Sequence, residues 1–297
     1  MNVQQSMSPE FIAHIKRLDL KARLVVEGFL TGLHKSPYHG FSVEFAEYRP
    51  YQPGDELKRI DWKALARSDR YYVKEFEEET NLKAYILLDS SASMGYHQKA
   101  AVSKLEYGAC LAGALSFLLL TQHDAVGLAV FGQKLNSFLP PRSRYSHWRL
   151  ILEELNRVQP SGGTSFERIF FDLAGHLKRR GLIILISDLW DGGRAVTTAL
   201  KHFRHLKHEV LVFHVLDDSE ISFPFRGETV FQDLETGQEL PLNPHGMGDS
   251  YRRAVAKWIE DLGTECRQHL IDYVPVNTNR PFDQALLQYL HKRQRLG

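Results

Sequence analysis

Asp89, Ser91 and Ser93 stand two residues apart at the end of an apolar run, in the stretch AYILLDSSASMG over residues 84–95. One carboxylate and two hydroxyls at that spacing offer three oxygen ligands from a single turn, which Gly95 closes. Oxygen-only ligands suit a hard divalent cation, Mg2+ above all, with Mn2+ or Ca2+ as substitutes. Two further loops carry related groups. Gly162-Gly163-Thr164 precedes a helical pattern, and Ser187-Asp188 ends the run LIILIS. Singly, each residue has a plain structural use. Ser91 or Ser93 can cap the next helix. Thr164 and Glu167 match a capping box, which makes a cap the better reading of Thr164 alone. An Asp at a strand end is common turn chemistry. Taken together, Asp89, Ser91, Ser93, Thr164 and Asp188 read as one metal site, with Asp191 a weaker rival to Asp188.

Such a site requires its loops on one edge of a sheet, and the patterning supplies one. Apolar runs of strand length at 84–88, 125–131, 182–187 and 209–216 alternate with helical patterns at 99–122, 145–158, 166–179, 194–206, 251–269 and 281–295. Residues 135–139 and 273–276 read as short strands. Alternation of this kind predicts an α/β fold, a doubly wound and mainly parallel sheet covered on both faces. Ligand sites in such sheets lie at the carboxyl ends of the strands. Residues 223–242 are an excursion, with a hairpin tip at Glu235-Thr236-Gly237-Gln238. Upstream, residues 8–32 read as one helix, and 41–49 and 71–76 as strands. The expected division is therefore an N-terminal helix plus small β region over 1–80 and the main domain over 81–297. The upstream strands are expected to join the 223–242 hairpin in a small second sheet.

Composition narrows the function classes. The net charge is +1 over 297 residues, without the basic excess of a nucleic-acid surface. Cys110 and Cys266 lie far apart, as expected of reduced thiols in a cytoplasmic protein. The first residues do not read as a signal peptide. The longest apolar run, 108–120, is too short to span a bilayer and is expected to be a core helix. His202, His205 and His208 read as a solvated face, and so does the acidic run 77–79. There is no P-loop lysine, no Gly-x-Ser-x-Gly elbow and no His-Glu-x-x-His.

The set Asp89-x-Ser91-x-Ser93, Thr164 and Asp188 resembles the metal-ion-dependent adhesion site of von Willebrand factor A domains. The resemblance covers about residues 81–297 and implies that family's doubly wound, Rossmann-like sheet. It implies Mg2+ held by the Ser91, Ser93 and Thr164 hydroxyls, with Asp89 and Asp188 acting directly or through water. An acidic side chain from a protein partner would then complete the sphere. Glu44-Phe45-x-Glu47-x-Arg49-x-Tyr51-x-Pro53-Gly54-Asp55, followed by Arg59-Ile60-Asp61-Trp62 and Ala66-Arg67, is similar to the signature of the domain-of-unknown-function 58 family. That resemblance implies a MoxR-type AAA+ ATPase as partner. The expected function is a non-enzymatic, Mg2+-dependent adaptor. The alternative is a Mg2+-dependent phosphohydrolase using Asp89, although the haloacid-dehalogenase pattern wants an Asp where Ser91 stands.

Overall fold

Apolar runs with no polar break, such as 84–88 and 182–186, satisfy their backbone and side chains only as strands covered on both faces. In the computed structural model these runs are the centre of a six-stranded sheet. The structure describes residues 8–34, 48–50, 72–74, 82–98, 100–177, 180–190 and 193–294. Its elements in chain order are α1 (Pro9–Ala13), α2 (Leu18–His34), β1 (Tyr48–Pro50), β2 (Tyr72–Lys74), β3 (Lys83–Asp89), α3 (Lys104–Thr121), β4 (Ala125–Phe131) and β5 (Leu135–Arg142). Then follow α4 (Ser146–Arg157), α5 (Phe166–His176), β6 (Leu182–Ser187), α6 (Gly193–His205), β7 (Glu209–Leu216) and α7 (Asp218–Ser222). The chain continues with β8 (Thr229–Gln232), β9 (Glu239–Leu242), α8 (Gly248–Gln268), β10 (Asp272–Asn277) and α9 (Asp283–Gln294).

The sheet order is β10-β7-β6-β3-β4-β5, parallel throughout except for the edge strand β5. This is the expected doubly wound sheet. The chain leaves β3 toward β4 on one side and later returns to β6 on the other. The strand order therefore reverses at β3, and the crevice between the carboxyl ends of β3 and β6 is the topological switch point. Asp89 ends β3, and Asp188 directly follows β6.

The strands alternate between two cores. Ile86, Leu88, Ile184, Ile186 and Phe213 pack with α2, α3, α4 and α9. Leu87, Ile183, Leu185 and Val212 pack with α5, α6 and α8. Helix α3 is apolar all round because it lies between the sheet and a further layer formed by α2 and α4. It is long and apolar enough, by composition, to cross a membrane, yet 83% of it is buried inside the protein. Gly113 permits the close approach: a β-carbon there would sit 3.2 Å from Leu152 and 3.3 Å from Ala22. The Trp148 indole donates to the Gly113 carbonyl at 3.0 Å in the same place.

Three local expectations are corrected. The predicted helix over 8–32 is two helices. Ser8 caps α1, and Arg17 grips Asp19 through two nitrogens at 3.0 and 2.6 Å, so a new helix start lies inside the periodic run. Strand β5 runs on through Pro140 and Pro141, which an edge strand tolerates because its outer side needs no donor. Among the described residues the 229–242 hairpin pairs only with itself and β1 pairs only with β2, so these do not form the expected joint sheet there. Most of the signature segment, 44–47 and 51–67, lies outside the described residues, as do Asp191 and the acidic run 77–79.

If α2 and α4 close on α3 at Gly113, then Gly113→Leu overpacks a filled site. It is expected to cost about 1–3 kcal/mol, read as a lower urea midpoint. Gly175→Ala, facing open space in α5, is expected to leave the midpoint unchanged or raise it. Equal midpoints for wild type and Gly113→Leu would rule out that packing.

Candidate metal centre

Three loops meet at the switch point; backbone hydrogen bonds join the first two, and the Ser187 side chain links the third. After Asp89, Ser90 donates its backbone N–H (2.7 Å) and its hydroxyl (2.8 Å) to the Phe131 carbonyl at the end of β4. Ser161 donates to the Ser90 carbonyl at 2.9 Å, and Ala92 to the Gly162 carbonyl at 2.8 Å. The first loop then tightens into a single 3-10 turn, Ala92–Gly95. These bonds place the Gly162–Thr164 loop against the Ser91–Ser93 turn.

Asp89 is the hub. It is 1% exposed. Its Oδ1 accepts from the Ser91 backbone N–H at 2.9 Å and from the Thr164 hydroxyl at 3.4 Å. Its Oδ2 accepts from the Ser187 hydroxyl at 2.6 Å. Ser91 Oγ and Ser93 Oγ are 3.0 Å apart. Thr164 is not a cap: helix α5 starts at Phe166, Ser165 holds the cap position without a side-chain bond, and the threonine hydroxyl turns to Asp89 instead. Ser187 is a site residue that the sequence reading placed in the loop but left out of the ligand set.

Asp188 is brought to the same crevice, and its charge acts on Asp89. Burial, then the Asp188 charge, push the Asp89 carboxyl up to about 7. Leu189 follows in the left-handed region at φ 57°, a strained conformation for a side chain this large, and turns the chain sharply after Asp188. Asp188 Oδ2 accepts from Lys104 Nζ at 2.7 Å, and the same ammonium donates to Glu220 Oε1 at 2.6 Å. Lys104 is wholly buried, and its ammonium lies 5.7 Å from the centre of the Tyr96 ring. Burial pulls its pKa down, but Asp188 and Glu220 outweigh that and hold it above the ordinary value. Glu220 also receives the Trp190 indole N–H at 3.0 Å and, on its other oxygen, the Asp217 backbone N–H at 2.7 Å.

Lys104 and Glu220 were not legible as site residues, though one signal existed. Lys104 is the first helical residue inside the Ser103–Glu106 capping box, and a cation at a helix N-terminus opposes the macrodipole unless something local holds it. His214 completes the surround. Its Nε2 lies 2.9 Å from the Asp188 carbonyl, which can only accept, so Nε2 carries the proton and Nδ1 accepts from the Tyr273 hydroxyl. Burial pulls this imidazole down to about 4, so it is neutral near pH 7.

The residues fit Mg2+. The donors are hydroxyls and carboxylates, all hard oxygens. Cis ligands on an octahedral Mg2+ at about 2.1 Å lie about 3.0 Å apart, and the two serine hydroxyls already have that separation. Asp89, Asp188 and Glu220 place three carboxylates against one ammonium, an imbalance that a dication would relieve. Among the described residues no three or more His, Cys, Asp or Glu are grouped so as to hold a metal ion, so an ion here would depend on the serine and threonine hydroxyls as ligands. Of the three histidines expected to form a solvated face, His202 and His205 are exposed but His208 is buried under α6.

Removing one partner from a buried ion pair leaves the others uncompensated. Lys104→Met is therefore expected to cost about 3–5 kcal/mol in the metal-free protein, measured by urea unfolding. Adding Asp188→Asn and Glu220→Gln to it should recover part of that loss. A single variant as stable as wild type would show that the ammonium does not hold these carboxylates.

Comparison with known proteins places the chain. Residues 47–261 match the family described as "Protein of unknown function DUF58". The uncharacterized protein Rv1480 of Mycobacterium tuberculosis is 26% identical over 294 residues, 97% of this chain and 91% of its own. The uncharacterized protein YeaD of Bacillus subtilis is 29% identical over 121 residues, 40% of this chain and 28% of its own. Among solved structures, BatB from Bacteroides thetaiotaomicron aligns over 72% of this chain and 99% of its own, with 21% identity and a TM-score of 0.47. The SpRpn10 VWA domain aligns over 70% and 94%, with 11% identity and a TM-score of 0.41. With a family match spanning β1 through most of α8, this chain belongs to the DUF58 family.

Proposed function

We propose that this chain is a non-enzymatic adaptor of the cytoplasm that binds a protein partner through a Mg2+-bridged acidic side chain. In this reading it works with a MoxR-type AAA+ ATPase in the assembly or maturation of a protein complex. The observation that carries the binding part is the convergence of Ser91, Ser93 and Thr164 on Asp89 at the switch point, with Asp188 beside them. When bound, Mg2+ supplies an octahedral centre whose exchangeable water an incoming carboxylate can replace. The chain's part is to present neutral hydroxyls as ligands, so that the ion keeps charge to spend on that carboxylate. The ATPase part rests on the family signature, since the domain-of-unknown-function 58 resemblance implies that partnership.

The phosphohydrolase alternative needs an Asp89 oxygen open to attack a phosphoryl group. Both oxygens accept hydrogen bonds from Ser91, Thr164 or Ser187, and the side chain is buried, which favours a holding role for Asp89 over a nucleophilic one.

Calorimetric titration should show saturable Mg2+ or Mn2+ binding to wild type that disappears in Ser91→Ala/Ser93→Ala. Capture of a MoxR-type AAA+ ATPase should weaken with chelator and with Asp89→Ala. Metal-independent capture would leave the fold and remove the metal from the interaction. Mg2+-dependent phosphate release from phosphorylated substrates, lost in Asp89→Ala, would establish the enzyme instead.

A further inference from the structure

The 229–242 hairpin folds back over the candidate site. Its tip is a preorganised turn. Asp233 Oδ1 accepts from the backbone N–H groups of Glu235 (2.8 Å) and Thr236 (3.0 Å), and Gly237, at φ 72°, donates to the Asp233 carbonyl at 2.8 Å. Strand β8 is anchored by aromatic packing close to that turn. Phe231 stacks on Phe223 with ring centres 5.9 Å apart, and Phe223 stacks on Tyr251 of α8 at 4.3 Å. A hairpin held along β8 and locked at its tip presents one side chain in a defined direction, and that side chain is Glu235.

Glu235 reaches the second metal loop. A β-carbon on Gly163 would lie 2.5 Å from Glu235 Oε2, so the carboxylate occupies the space that the glycine leaves open, one residue before Thr164. Independently, Glu235 and Ser93 line the same cavity of about 460 Å3, together with Leu234, Trp190 and Phe231. The chain thus brings its own carboxylate to the rim that an acidic partner would approach, with an apolar side chain beside it.

We infer that Glu235 is an intramolecular ligand of the metal centre, carried in by the β8–β9 hairpin, and that an acidic partner binds by displacing it. The inference rests on the metal-site reading proposed above. It gives the hairpin a function: it fills the open coordination position until a partner competes. It also defines that partner as a segment with a carboxylate next to a large apolar residue, as in Leu234-Glu235, because the aromatic cavity beside the site accepts the second group.

The test uses the full chain with Mn2+ alone. Calorimetry gives affinity, and water-proton relaxation gives the number of exchangeable waters on the bound ion. Glu235→Gln is expected to weaken Mn2+ binding roughly tenfold or more and to add one exchangeable water. Gly163→Ala keeps the Glu235 charge but pushes the carboxylate aside, and is expected to give the same two changes. Saturable wild-type binding with unchanged affinity and hydration in Glu235→Gln overturns the inference and leaves the metal site standing. Absence of Mn2+ binding to wild type overturns the metal-site reading itself, and the inference with it.

Discussion

A carboxylate buried at the end of the central strand cannot be left without partners, and the site is organised by how Asp89 is satisfied. Burying a charged group costs far more than a few hydrogen bonds return unless every lone pair is engaged or a cation is near. Asp89 therefore draws in groups from three separate segments: its own turn through Ser91, the glycine loop through Thr164, and the β6 end through Ser187. Even so, burial and the neighbouring Asp188 leave the carboxyl with a pKa of about 7. The site is held together by hydrogen bonds, while its carboxylates remain close to one another.

The second constraint is the buried Lys104 ammonium near that hub. Lys104 comes from the first turn of α3 and joins Asp188 to Glu220, and so couples the β6 end to the start of α7. Tyr96 adds a further link from the first loop to α7 through its hydroxyl contact with Ser219 at 2.9 Å. These polar links lie on the carboxyl edge, whereas the two apolar cores fill the body of the sheet. The strand framework fixes where the loops start, and the buried polar network fixes how they point. A change in the cores would act on stability through packing, while a change in the network would act through unpaired buried charge.

The adaptor reading places recognition on this edge. Ser93, Trp190 and the hairpin residues Phe231 and Glu235 line one cavity, so in this reading a partner at the site would also meet Trp190 and the Phe231 side of the hairpin. Coordination by one carboxylate is chemically undemanding, since many surfaces carry Asp or Glu. Selectivity must come from the apolar group beside it and from competition with the chain's own side chain.

The strand–helix order, the polar residues at the strand ends and the core character of α3 were legible because they depend on local pattern. A run of apolar residues ending at Asp89, and another ending at Ser187-Asp188, state both the strands and their chemical ends. Thr164 was ambiguous because a capping box and a ligand loop have the same residue types at the same spacing. Only the docking of Gly162 onto Ala92 decides which way its hydroxyl turns. The break between α1 and α2 depended on whether Arg17 would close on Asp19, a side-chain choice that helical periodicity does not record. The partners of Lys104, Glu220 and Glu235 were not legible, since they lie 84, 116 and 72 residues away along the chain. Sequence by itself determined which elements form and which residue types stand at their ends, because those follow from the chemistry of neighbouring residues. Tertiary structure decided which ends meet and which charges are buried together, because burial and Coulomb interactions depend on distances in space that sequence spacing does not contain.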